Sequence, residues 1–335
     1  MIATEKMPKL AQFSNPPIQE RISQAHRANG KILLTGEYFV MDGATAMALP
    51  LTMGQSLRIT EGSGSEVVWK SYDAKGQLWF NASFDLMDFK AIKTSDQQIS
   101  DTLGMILKAA SKLNSDFLSH WKKYKADTFL EFDRSWGLGS SSTLISCIAQ
   151  WAEVNPYHLL FDTLGGSGYD VACAQADGPI LYRLGNDALH IDHVEFEPEY
   201  LSHLYLIYLD RKQDTREARD HYYKNRSHLN GAIDHISKIS ESIPACQKLS
   251  EFEDALEEHE HIVAKALNMP RVKESHFPDF WGTVKSLGAW GGDFVLATSE
   301  NPDEETRNYF SKKGFNTVFK LGEMIRVESH AGVEA

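Results

Sequence analysis

The chain has 335 residues, with 34 Lys and Arg against 46 Asp and Glu, and a formal charge of −12 at pH 7. At roughly 100–200 residues per domain this length predicts about two domains, and 42% hydrophobic with 24% charged residues excludes wholesale disorder. The acidic balance argues against a general binder of nucleic-acid backbone, which needs a basic face, and still allows a local basic pocket for an anionic metabolite.

Residues 1–25 read as a polar lead-in broken by Pro16-Pro17, with regular structure starting near Arg27. Lys31–Thr35 reads as a buried strand ending at Gly36, and the small, apolar Ala44–Leu51 is expected to pack inside. Leu57–Ile59 and Val67–Trp69 read as strands around the turn at 62–65, with Leu78–Phe84 as a further strand. Leu103, Ile106, Leu107 and Ala110 recur at helical spacing over 101–113. Thr128–Phe132 alternates as a strand, Gly137-Leu138-Gly139-Ser140-Ser141-Ser142 follows, and 143–151 reads as a helix. A second glycine loop, Gly165-Gly166-Ser167-Gly168, precedes the small-residue run 170–176 and a strand at 180–184.

The second half predicts a strand at 204–210, helices at 215–239 and 247–267, and a strand at 293–298. A helix at 303–313 and strands at 317–320 and 324–327 complete it. This is an α+β pattern, a sheet covered by helices, with the domain boundary between 185 and 203. No internal repeat or low-complexity tract is visible.

The 137–142 loop carries the clearest chemistry. Glycines let the backbone approach a polyanion, and the unpaired N–H groups at a helix start point toward any phosphate placed there. Serines add hydroxyl donors and a candidate magnesium ligand. The common phosphate loop is excluded, because Ala25 stands where its first glycine belongs, ahead of Gly30-Lys31. The dinucleotide fingerprint is excluded because Ser142 takes the place of its third glycine.

Taken in order, GKILLTGEY, GLGSSS, GSGYDVA and GAWGGD over residues 28–298 resemble the GHMP kinase superfamily, of galactokinase, homoserine kinase, mevalonate kinase and phosphomevalonate kinase. The resemblance implies an ATP-binding N-terminal domain (1–190), ribosomal-protein-like with a left-handed β-α-β unit. It also implies a ferredoxin-like C-terminal domain (191–335). It places the ATP phosphates on Gly137, Leu138, Gly139, Ser140, Ser141 and Ser142, with Ser141 as a magnesium ligand. Asp170 falls on the catalytic aspartate and Lys31 on the lysine of the first motif. Glu37, Tyr38, Gly168, Gly291, Gly292 and Arg183 fall near substrate, and Arg211 and Lys212 are further candidates to hold an anion. ATP and Mg²⁺ are the implied cofactors, and a small anionic molecule the implied partner.

The GEY turn, GSGxDVA and GAxGGD most resemble phosphomevalonate kinase, with mevalonate kinase as runner-up. The glutamate that mevalonate kinases place upstream of the aspartate falls here on Leu159, and Asp162 is the nearest acid. The acidic magnesium ligand, the acceptor, a non-catalytic ligand sensor and a nucleotide-dependent decarboxylase therefore stay open. His259-Glu260-His261 fails the HExxH pattern, because Val263 follows, and reads as part of a charged exposed helix. Cys147 and Cys173 read as core thiols. With three cysteines and no CxxC pair, no disulfide framework is expected. No apolar run reaches the roughly 18 residues of a membrane helix, and Met1–Lys9 lacks a signal core. The expectation is a cytoplasmic protein without nucleic-acid or membrane partners, with a homodimer left open.

Overall fold

The computed structural model describes residues 23–119, 122–185, 188–210, 220, 222–224, 231–288, 290 and 292–327. Most of the predicted lead-in and much of the predicted 215–239 helix lie outside these, as do Arg211, Lys212 and Gly291. Contacts divide the chain into two units. One holds Gln55–Asp133 and Leu144–Thr163; the other holds Asn29–Gly54, Arg134–Thr143 and the chain from Leu164 onward.

In the first unit the strands are the later half of β2 (Ala46–Gly62), β3 (Glu66–Tyr72), β4 (Leu78–Asp85), β5 (Ala91–Thr94) and β6 (Lys123–Leu130), ordered β5-β4-β3-β6-β2. β6 runs antiparallel to β2 and parallel to β3, with Val67 opposite Tyr124. A parallel neighbour needs a crossover, and helix α1 (Gln97–Leu113) lies on it. The Asp96 side chain caps α1 by accepting the Ile99 N–H at 3.1 Å. The predicted apolar stripe Leu103, Ile106, Leu107 and Ala110 is its buried face. Helix α2 (Ser140–Ala152) follows the glycine loop, and α3 (Pro156–Phe161) is capped by Asn155.

In the second unit, the later part of β1 (Gln24–Thr35) reaches the GEY turn, the early half of β2 pairs with β7 (Ile180–Leu184), and β7 pairs with β8 (Leu189–His193). Helix α4 (Tyr169–Gln175) leads into β7. After 204 come β9 (Leu204–Tyr208), α5 (Ala232–Ser242), α6 (Leu249–Leu267), α7 (Val272–His276), β10 (Val284–Leu287), β11 (Phe294–Thr298), α8 (Asp303–Lys312) and β12 (Val318–Lys320). Their sheet is antiparallel throughout, ordered β10-β11-β9-β12. That order with β-α-β-β-α-β connectivity is the ferredoxin-like arrangement that the resemblance implied. Every residue of β9 is buried, as its unbroken apolar run requires of a strand covered on both faces. Tyr205, Ile207, Val295, Phe277 and Phe310 share one core cluster.

Two expectations are corrected. Ala44–Leu51 and Leu57–Ile59 are not separate pieces but belong largely to one long strand, β2. Residues 324–327 form no strand: Leu321–Met324 is a single helical turn, and only Ile325 makes a lone antiparallel bridge, to Leu51. Cys147 and Cys173 are buried as expected, and burial pushes the Cys147 thiol up to about 12.

Candidate functional site

The glycine loop is held from several sides. The Lys31 N–H donates to Leu138 O at 2.9 Å, so β1 carries the loop along its edge. The turn Arg134–Trp136 leads into it, and Trp136 packs against Tyr208, Phe294 and Phe319 of β9, β11 and β12 at 5.3–6.1 Å between rings. The Tyr208 hydroxyl lies 3.0 Å from Ser135 Oγ. Gly137 has φ +65, and a Cβ there would fall 1.8 Å from Asp293 Oδ2, so the carboxylate fills the space that only glycine leaves. Gly139 has φ +95, and a Cβ there would meet Lys31 Cγ at 3.0 Å and Ser142 Oγ at 2.9 Å.

Helix α2 begins at once. Ser140 and Ser141 are exposed in its first turn. Ser142 is buried and its hydroxyl donates back to Gly139 O at 2.9 Å. The ATP-binding expectation therefore has hydroxyls at 140 and 141 to draw on, whereas at 142 only the backbone faces forward. The first N–H groups of a helix have no partner within it, so a cradle of amides, two hydroxyls and a positive helix end opens here.

Lys31 Nζ donates to Gly137 O at 3.3 Å and lies 5.5 Å from the centroid of the Tyr169 ring. Burial pushes its ammonium toward neutrality, but its neighbours Tyr169 and then Asp170 outweigh that, and its pKa sits above the usual lysine value. Lys31 and Asp170, expected to meet, form no ion pair within 4.0 Å. Asp170 stands in the first turn of α4, its Oδ1 accepting the Val171 N–H at 3.0 Å. Gly168, at φ 89, precedes the helix, and the preceding loop is pinned by the Tyr182 hydroxyl donating to Ser167 O at 2.5 Å. Arg183 is exposed on the face of β7 opposite Tyr182, since successive strand residues alternate.

The GEY turn is different in kind. Tyr38 has φ 64 and ψ −47, and the Phe39 N–H closes onto Glu37 O at 2.8 Å. This is the rarer, positive-φ γ-turn, costly for a bulky residue. It is held because Tyr38 is buried, its hydroxyl accepts the Trp290 N–H at 2.7 Å, and its ring stacks on Tyr222 at 5.8 Å. Trp290 is itself buried and its indole donates to Pro270 O at 3.1 Å.

Glu37 is 3% exposed and its Oε1 accepts a hydrogen bond from the Lys285 ammonium at 2.5 Å, in a lysine with no exposed side chain. Lys285 also donates to Ser286 O at 2.8 Å. The Gly36 N–H donates to His259 Nε2 at 2.9 Å, which assigns the imidazole proton to Nδ1. Glu260 Oε1 accepts the Ser286 N–H at 3.1 Å. Burial sets the ionisation of this cluster. It raises Glu37 from its ordinary value against the pull of Lys285, holds Glu260 up at about 8, and drives His259 well below its ordinary value.

The carboxylate of Glu37 and the phenol of Tyr38, expected near substrate, are thus engaged inside the protein. Gly292 is buried just before β11. The expected exposed helix is corrected at two positions: His259 and Glu260 are buried, and only His261 is exposed. Among the described residues no group of three or more His, Cys, Asp or Glu could hold a metal. Sequence reasoning missed Asp293, Tyr169 and Lys285. The first two stood inside motifs read for their glycines and Asp170. Lys285 signalled itself only as a lone charge in a short apolar strand. An open groove lined by Trp281, Pro302, Tyr309 and Lys312 contains none of these residues.

No family model matches the sequence, and no curated protein matches it. Among solved structures the chain is similar to mevalonate kinase of Methanococcus jannaschii, at 17% identity and TM-score 0.66 over 94% of this chain and 100% of that one. It is similar to Streptococcus pneumoniae phosphomevalonate kinase in complex with phosphomevalonate and AMPPNP, at 16% identity and TM-score 0.66 over 89% and 100%. Lactococcus lactis galactokinase complexed with galactose matches at 13% identity and TM-score 0.60 over 91% and 93%. The chain has the GHMP kinase fold. Among the described residues no helix is long and apolar enough to cross a membrane.

Proposed function

We propose that this protein is an ATP-dependent kinase of a small, anionic hydroxy metabolite, with phosphomevalonate as the first acceptor to try and mevalonate the second. The observation that carries this reading is Lys31, whose stem lies across Gly139, whose ammonium caps Gly137 O, and whose charge is matched by Asp170. Phosphoryl transfer asks a protein for position and charge stabilisation more than for covalent chemistry. The amides and hydroxyls of 137–141 would cradle the nucleotide phosphates. Lys31 would neutralise charge on the transferring group, and Asp170 would orient the acceptor hydroxyl and take its proton as that oxygen attacks the γ-phosphorus and the bond to ADP breaks.

The donor set also suits magnesium. Mg²⁺ in such sites is held by one or two protein oxygens plus phosphates and water, and the Ser141 hydroxyl, which is exposed, would supply one. The ion would neutralise phosphate charge. The mevalonate-type acceptor is suggested by the order of the glycine motifs and by the similar structures, two of which are a mevalonate and a phosphomevalonate kinase.

ADP release is the test, with ATP and Mg²⁺ and with phosphomevalonate, mevalonate and galactose offered in parallel. Asp170→Asn is expected to lower turnover by a factor on the order of 10²–10⁴ while sparing nucleotide binding. Near-normal turnover in that variant would sink the assignment.

A further inference from the structure

We propose that Tyr169 is a positioning residue: its phenol holds the Lys31 ammonium against the phosphate loop, beside Asp170. The proposal rests on the kinase reading only for its effect on turnover. The geometry leaves Lys31 little freedom. Its stem is fixed where it crosses Gly139, with Cγ 3.0 Å and Cε 3.4 Å from the place a Cβ would take. An ammonium carries three donors, and one goes to Gly137 O at 3.3 Å. The Tyr169 ring lies 5.5 Å away, within the range in which a cation is attracted to an aromatic face.

Asp170 attracts Lys31 as well, but these two described residues form no direct ion pair within 4.0 Å. A lysine shared this way stays on the phosphate side and leaves the carboxylate open to the acceptor. Were Lys31 to collapse onto Asp170, each would quench the other.

Tyr169 is placed to do this by the backbone. It is the first residue of α4, immediately after Gly168 at φ 89, and the loop before it is tied down at Ser167 by Tyr182. Burial pushes its ionisation up, Lys31 pulls it down, and Asp170 and Glu37 push it up again, so the phenol stays protonated at neutral pH. Its interaction with Lys31 is one of those that keep the ammonium charged despite burial.

The test reads Lys31 directly. Acylation of amines by an N-hydroxysuccinimide ester would be followed by peptide mass spectrometry from pH 7 to 9. Lys31 would be normalised to the exposed Lys75, in wild type, Tyr169→Phe and Tyr169→Leu. A drop of one pKa unit raises the reactive neutral fraction about tenfold, so Tyr169→Leu is expected to acylate Lys31 roughly three- to tenfold faster at pH 8. Tyr169→Phe keeps the ring and fills the same space, so it should fall between the two. The loss of kcat should follow the same order. Unchanged or slower acylation in Tyr169→Leu, with Tyr169→Phe folded and equal to wild type, overturns the proposal. Absence of wild-type turnover with every acceptor would overturn the kinase reading alone, because the acylation comparison needs no turnover.

Discussion

Glu260 is a single side chain with a consequence for pH. Burial holds it at about 8 in the folded chain, against an ordinary 4.5, with Lys285 and Arg271 pulling it down and Glu37 pushing it up. Between those values the folded state keeps a proton that the unfolded state has released. Stability therefore falls as pH rises through that window and levels off above it. His259 acts in the opposite sense: held neutral, it contributes stability above 6.5 that is lost as pH drops. Glu260→Gln is expected to raise the melting temperature relative to wild type more at pH 8 than at pH 5, and equal offsets at the two would refute the assignment. At this scale the sequence was a partial guide. The glycines at 137, 139 and 168 announced their backbone angles, because no other residue suits them. The burial of Glu37, Tyr38 and His259 was not legible, because their partners lie 248, 252 and 223 residues away in the chain.

Between elements, the pair Lys285–Glu37 joins strand β10 to the GEY turn, while His259 and Glu260 bring in α6. Removing one partner of a buried pair strands the other charge, a loss of about 3–5 kcal/mol. Lys285→Met should show that loss in urea denaturation, and Glu37→Gln combined with Lys285→Met should recover part of it. A cost for the single variant near zero would mean that the pair is not desolvated in solution. Elements with strong periodicity or long apolar runs were readable from sequence, as α1 and β9 demonstrate. Short strands with polar faces were not: β8 reads Leu-His-Ile-Asp-His, and β10 hides behind its lysine. At 324–327 apolar residues suggested a strand, but among the described residues the β-bridge there is the single one of Ile325 to Leu51.

For the molecule as a whole, the order of its glycine motifs made the fold readable when no single motif could, since each fixes a loop that the sheets must bring into place. The charge of −12 has its own consequence. ATP and a phosphorylated acceptor are both anions, and at about 10 mM salt the screening length of roughly 30 Å lets the whole surface repel them. Raising salt to about 150 mM, where that length is roughly 8 Å, is expected to speed nucleotide association in stopped flow. Slower association would mean that the cationic loop, not the net charge, sets the field that an incoming nucleotide meets. Trp136 also gives the protein an optical property. Its indole stands immediately before Gly137 and is wedged among three aromatic rings, so a nucleotide seated on the loop would perturb a built-in fluorophore. Titration with AMPPNP should shift the emission of the wild type, and Trp136→Phe should abolish most of that signal without abolishing binding.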